Sequence, residues 1–178
     1  MDELPKRELS FPEWNGEPLD GKTIAVLPEQ GFGDCVLMAR HLPDLKRLGA
    51  KTVTVLAEKP LFRLFQGLPG ADHVVSSINP KSEADYWINM MDLGRIALKT
   101  DADLRHPTQL SIPEDACIRA RAITAPYRDK FKVGVVWSGS VTYKANAFRS
   151  FSHTDFLPLT DVKSVQLFSL YKGPMLDA

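Results

Sequence analysis

The stretch 26-VLPEQGFGDCVLMAR-40 decides how this chain is read. The apolar run that enters it ends at Pro28, Gly31 and Gly33 follow, and Asp34 opens a segment with apolar residues at helical spacing. Strand, glycine turn and helix in that order form the first half of a βαβ unit. Upstream, "KTIAVL" (22–27) is β-branched and has the length of a buried strand. Downstream, Val36, Leu37, Ala39, Leu45 and Leu48 give 34–48 an apolar helical face, which Pro43 should kink or divide and Gly49 should stop.

The same alternation continues outward. "KTVTVLAE" (51–58), "ADHVVSS" (71–77) and "ADYWINMM" (84–91) read as strands. A short helix opened by Pro60 ends near Gly67, and another short helical run lies near 92–99. Ser111, Pro113 and Glu114 start a helix to about Thr124. "KVGVVWSG" (132–139) and "SVQLFSLYKG" (164–173) are two more strands, with a helical turn in "HTDFLPL" (153–159) between them. Strands alternating with helices predict an α/β fold with a Rossmann-like parallel sheet covered on both faces. The expected organisation is an extended leader over 1–20, a domain over 21–126 and a partial second α/β unit over 130–178. Trp14 of the leader is expected to dock on the domain surface.

Composition narrows the partners. The 22 basic and 22 acidic residues balance, so neither nucleic acid nor a membrane surface is an expected partner. Cys35 and Cys117 lack metal-type spacing, and the four histidines are scattered, so no metal site is expected. His41 and His73 read as surface or capped histidines. The charged N-terminus does not resemble a signal peptide, and no apolar run approaches the roughly 20 residues that span a bilayer. A reduced, cytoplasmic protein is expected.

Three chemistries fit Asp34. "GFGDCV" supplies two glycines of a dinucleotide fingerprint, and Glu58 stands at a suitable remove for a ribose contact. Val36 replaces the third glycine, and a carboxylate at the helix start would compete with a pyrophosphate for the same amides. Alternatively Asp34 is an N-cap, worth roughly 1 kcal/mol. It can also be a general base, with the glycines keeping side chains away so that an acceptor hydroxyl reaches it.

The run from "WNGEPLDGKTIAVLPEQGFGDCVLMAR" to "LPGADHVV", then "VGVVWSGSVTYKANAFRSF" and "LFSLYKGP", resembles bacterial glycosyltransferase family nine, the heptosyltransferase-like proteins. The resembling region often follows tetratricopeptide repeats, and the likeness spans about residues 11–174. The resemblance implies two Rossmann-like lobes of GT-B type. The first lobe would take the acceptor, a sugar or a protein, and the second would take a nucleotide-sugar as co-substrate. It implies inverting, metal-independent transfer with Asp34 as base and Gln30, Gly31 and Gly33 in the acceptor-side loop. It also implies that Ser138, Gly139, Ser140, Lys144, Arg149 and Lys172 bind the donor, with Lys144 and Arg149 on its diphosphate. Two positions depart from the family: "ANAF" (145–148) stands where a charged run is usual, and Tyr171 where glutamine is common. Because the second lobe stops after its second strand, the chain alone is expected to be inactive, and 130–178 is expected to pair with the first sheet or with a second copy. A non-catalytic acceptor- or protein-binding module and a dinucleotide-binding protein are the alternatives.

Overall fold

The structure, a computed structural model, describes residues 9–29, 31–79, 84–141 and 143–173. The chain divides into two compact units, Met1–Pro113 and Glu114–Ala178.

The first unit is built on four parallel strands, β1 (Thr23–Leu27), β2 (Thr52–Leu56), β3 (His73–Val75) and β4 (Tyr86–Asn89), in the order β3-β2-β1-β4. Ile24 pairs with Val53 on one side and Tyr86 on the other, so β1 is central. The chain runs from β1 outward through β2 to β3 and then crosses back to β4. The carboxyl ends of β1 and β4 therefore form the point where the strand order reverses, the usual ligand crevice of open α/β sheets.

The predicted helix over 34–48 is divided, as Pro43 requires. Helix α1 (Phe32–Met38) passes through a 3-10 turn, Ala39–His41, into α2 (Leu42–Arg47), with Pro43 in its first turn. Gly49 ends this run with φ at 95°, and a Cβ there would meet the Asp20 backbone. Helix α3 (Lys59–Phe65) and helix α4 (Asp92–Ala97) follow β2 and β4. Alternating strand residues Ile24, Val26, Val53, Val55 and Ile88 pack against Cys35, Ala39, Leu42, Leu45, Leu61, Phe65 and Leu93 in one buried cluster.

The opposite face is also covered. Ala25 and Leu27 are covered there by Phe11 of the leader, with Leu9, Ile78 and Ala84 packed around them. The β3-to-β4 crossover presents Ile78 and Ala84 to this face, and no described helix of the first unit lies on it. The leader is likewise no surface strap. The Trp14 amide donates to the Trp87 carbonyl (2.7 Å), and the Trp87 amide donates to the Pro12 carbonyl (3.0 Å). Residues 12–14 thus line the free edge of β4 in parallel, and Trp14 is buried in the main core.

Two aspartates pin the amino edge of the sheet. Asp85 accepts from the Thr23 amide (2.8 Å), the Thr23 hydroxyl and Lys22 Nζ, and these bonds, the Thr23 amide first, pull its carboxyl down to about 2. Asp72 accepts from the Val53 amide (2.7 Å) and Lys46 Nζ (2.8 Å) at the entry to β3.

The second unit holds α5 (Glu114–Thr124) and two parallel strands, β5 (Phe131–Val135) and β6 (Val165–Ser169). Helix α5, read from sequence as the last helix of the first domain, belongs to this unit. The two strands form a sheet of their own and add nothing to the first sheet. A long 3-10 segment, His153–Asp161, supplies the expected turn between them.

Candidate functional site

Asp34 stands in the first turn of α1, behind the carboxyl end of β1. It is the third helical residue and not the N-cap, which is Gly31. Its Oδ2 reaches back to accept the Gly31 amide at 3.0 Å. The glycines do not serve the backbone: Gly31 is extended, with φ at −83°, and Gly33 is not among the left-handed glycines. Their missing side chains matter instead. A Cβ on Gly31 would press on Asp34 Oδ2 at 3.3 Å, and one on Gly33 would meet nothing within 4 Å. The carboxylate is half-buried beside open space. Gln30 lies outside the described residues.

The neighbouring strand brings a second acid that sequence reading missed. Asp92 opens α4 directly beyond β4, where the Met90 amide bonds the Leu27 carbonyl (2.8 Å) and ties the two strand ends together. Asn89 Nδ2 donates to Asp92 (3.4 Å). The signal was present, because "INMMD" repeats the strand–acid–helix order of "AVLPEQGFGD" without the glycines.

Cys35 is packing. Its thiol is buried against the Glu29 carbonyl, and burial, with Glu58, Asp34 and Glu29 nearby, pushes its pKa up. Glu58, the ribose candidate, is exposed at the start of α3.

In the second unit the loop after β5 is organised by Asn146, a residue not singled out from sequence. Its Oδ1 accepts the Gly139 amide (3.1 Å) and Arg149 Nε (3.3 Å), and its Nδ2 donates to Ser138 Oγ (3.0 Å). Ser138 is buried and shares a 2.9 Å bond with Ser150. Arg149 lies over the Tyr143 ring at 4.4 Å, and its guanidinium fills the space a Gly139 side chain would need. Ser138, Gly139 and Arg149 are therefore brought together. The Ser140 carbonyl accepts the Tyr143 amide (3.1 Å). Lys144 and Lys172 are exposed. Beyond β6, Tyr171 stacks on Trp137 at 4.8 Å, and its buried hydroxyl has no hydrogen-bond partner among the described residues.

A third cluster lies on the helix layer of the first unit. His41, read from sequence as a surface or capped histidine, is buried, and its Nδ1 bonds Asp44 Oδ2 at 2.9 Å. Asp44 Oδ1 takes Arg47 and Arg105 Nε (3.2 Å for the latter). Burial, then the charges of Arg40, Arg105 and Arg47, lowers the His41 pKa below its usual 6.5, so a neutral ring donates to Asp44. The linked stability is fully present above pH 6.5. It is lost as pH falls through the depressed folded value, because only the unfolded chain readily takes the proton. Melting curves of the wild type between pH 8 and 5 should fall more steeply than those of His41→Asn, whose amide keeps the donor. Parallel pH slopes would remove His41 as the cause.

No group of three or more His, Cys, Asp or Glu side chains that could hold a metal ion occurs among the described residues. None of their helices is long and apolar enough to cross a membrane.

The fold and these loops define an α/β chain with a Rossmann-like parallel sheet and an acid in the first turn of each helix that follows β1 and β4. No family model and no solved structure matches the chain. A stretch of 68 residues is 35% identical to Protein FlbA of Caulobacter vibrioides, covering 37% of this chain and 11% of that protein. The chain thus spans only a small part of the curated relative it matches.

Proposed function

We propose that the chain carries the acceptor-side lobe and part of the donor-side lobe of a GT-B type glycosyltransferase of the heptosyltransferase-like kind. The reaction is inverting, metal-independent transfer of a sugar from a nucleotide-sugar to an acceptor hydroxyl of a sugar or a protein. Asp34 carries the proposal: an acid in a helix's first turn, at the strand reversal, next to open space over Gly33. Its Oδ2 is steadied by one amide, which leaves Oδ1 to take the acceptor's proton. The acceptor oxygen then bonds the anomeric carbon as the carbon–oxygen bond to the diphosphate breaks. The nucleoside diphosphate leaves with that electron pair, and cations of a donor-binding lobe would stabilise it.

A binding module without turnover is the second reading. Arg149 and the Gly139 amide are already engaged by Asn146, so a diphosphate would have to displace contacts within the loop. Dinucleotide binding is disfavoured, because Asp34 occupies the Gly31 amide that a pyrophosphate needs. The deciding experiment incubates the polypeptide carrying this chain with uridine, guanosine and adenosine diphosphate sugars. Nucleoside diphosphate release and, separately, binding heat are measured. Release that depends on an acceptor supports transfer. Binding without release under any acceptor supports the module.

Self-association through 130–178 belongs to the same proposal. The β5–β6 sheet has two strands among the described residues, and Phe131, Leu170 and Phe148 (94%) of this unit are exposed. Open edges and apolar patches of this kind recruit a second copy. Light scattering should give a dimer that Phe148→Ser weakens, and a monomer at all concentrations would end the idea.

A further inference from the structure

A concavity of about 410 Å³ lies on the outer side of α2, and its walls include Arg40, Arg47, Arg105, His106, Thr108 and Gln109. No acidic side chain is among its lining residues. We propose that it binds the phosphoryl group of a small phosphorylated ligand, at a site separate from the Asp34 crevice and independent of the transferase proposal.

Charge carries this furthest. Arg40, Arg47 and Arg105 all line the concavity, and a single carboxylate outside it, Asp44, pairs with the last two. Asp44 is saturated, with both arginines on Oδ1 and His41 on Oδ2. His41 is neutral, so it adds no charge. Arg40 makes no ion pair among the described residues. It donates to the Leu37 carbonyl (2.9 Å) and the Arg105 carbonyl (3.1 Å), which leaves other guanidinium N–H groups unused by those bonds. Asp44 offsets one of the three positive charges, and Asp103 lies near Arg105 as well.

A neighbouring cavity of about 660 Å³ gives the contrast. It shares Arg47 and Arg105 and adds Arg95 and Lys99, but Glu17, Asp44 and Asp103 line it too. Cations and anions nearly balance there, and only the smaller concavity is one-signed.

The smaller site is also held in shape. Gly70, at a φ of 86°, sits so close to Pro43 that a Cβ would lie 2.4 Å from its nitrogen. The Gly70 backbone thus packs close on Pro43, which lines the concavity with Pro69, and Arg40 donates to the Arg105 carbonyl. Planar guanidiniums in a fixed arrangement suit the oxygens of phosphate, which they bind by paired N–H bonds. The volume falls in the usual range for small-molecule sites and exceeds what a bare phosphate fills. Thr108 and Gln109 add neutral hydrogen-bonding groups for the rest of such a ligand.

Inorganic phosphate is the probe, titrated into the full chain against sodium chloride at equal ionic strength, with glucose 6-phosphate and glucose as a second pair. Phosphate should raise the melting temperature where chloride does not. Glucose 6-phosphate should bind at least as well as phosphate, and glucose should not bind. Arg40→Gln, which removes no direct partner of Asp44, should weaken phosphate at least tenfold while the chain stays folded in chloride. Arg40→Lys should recover part of the loss. Equal responses to phosphate and chloride would overturn the proposal, as would an Arg40→Gln chain that binds phosphate like the wild type.

Discussion

Replacing Trp14 with alanine is expected to cost the first unit about 3–5 kcal/mol, the usual range for a fully buried tryptophan. The indole is 2% exposed, sits in the main cluster with Leu19 and Leu45, and donates Nε1 to the Glu17 carbonyl at 2.7 Å. A domain of this size has a total stability of about 5–15 kcal/mol, so this one change removes a large share of it. The melting temperature should drop by more than about 10 °C. Circular dichroism melts of the wild type, Trp14→Ala and Trp14→Phe would test this. The phenylalanine variant fills most of the volume and loses only the hydrogen bond, about 1 kcal/mol. A drop of less than about 3 °C for Trp14→Ala would mean that the leader is peripheral after all.

The second large effect is on turnover. Under the transferase proposal, the change equivalent to Asp34→Asn in a full-length active relative should reduce transfer by roughly 100-fold or more, the scale of losing a general base, or about 2.7 kcal/mol of barrier. Stability should hardly change, because an asparagine oxygen can still accept the Gly31 amide. That separation makes the variant informative. Asp34→Ala would lose the cap together with the base and confuse the two roles. Transfer that survives in Asp34→Asn would return the residue to capping alone and move attention to Asp92 across the strand reversal.

Much of the first unit was legible from residue order. The β-branched runs at 22–27 and 51–58 gave strands because such side chains suit a pleated sheet buried on both faces. Pro43 divided the long helix because it cannot donate to the preceding turn. What escaped were features that depend on neighbours distant in sequence. The burial of Trp14 requires the edge of β4, which no local pattern announces. His41 and Asp44 stand at helical spacing, but Arg105, whose charge helps keep the histidine neutral, arrives from a loop far along the chain. The Phe11 cover on one face of the sheet likewise depends on strands far along the chain. In the second unit, "ANAF" was read as a departure from a charged run. Asn146 within it proves to be the hub of the loop, since a carboxamide donates and accepts at once.

The pairing of residues 12–14 with β4 also orders events during synthesis. The leader leaves the ribosome long before Tyr86–Asn89 exist, at a pace of roughly 5–20 residues per second. For some seconds the Trp14 indole has no edge to dock on, and β1 and β2 must meet with one rim of their shared core open. Contacts of such long sequence separation slow folding. A nascent chain of this unit therefore closes late, when its earliest residues find one of its last strands, and until then the tryptophan is a handle that a chaperone can hold.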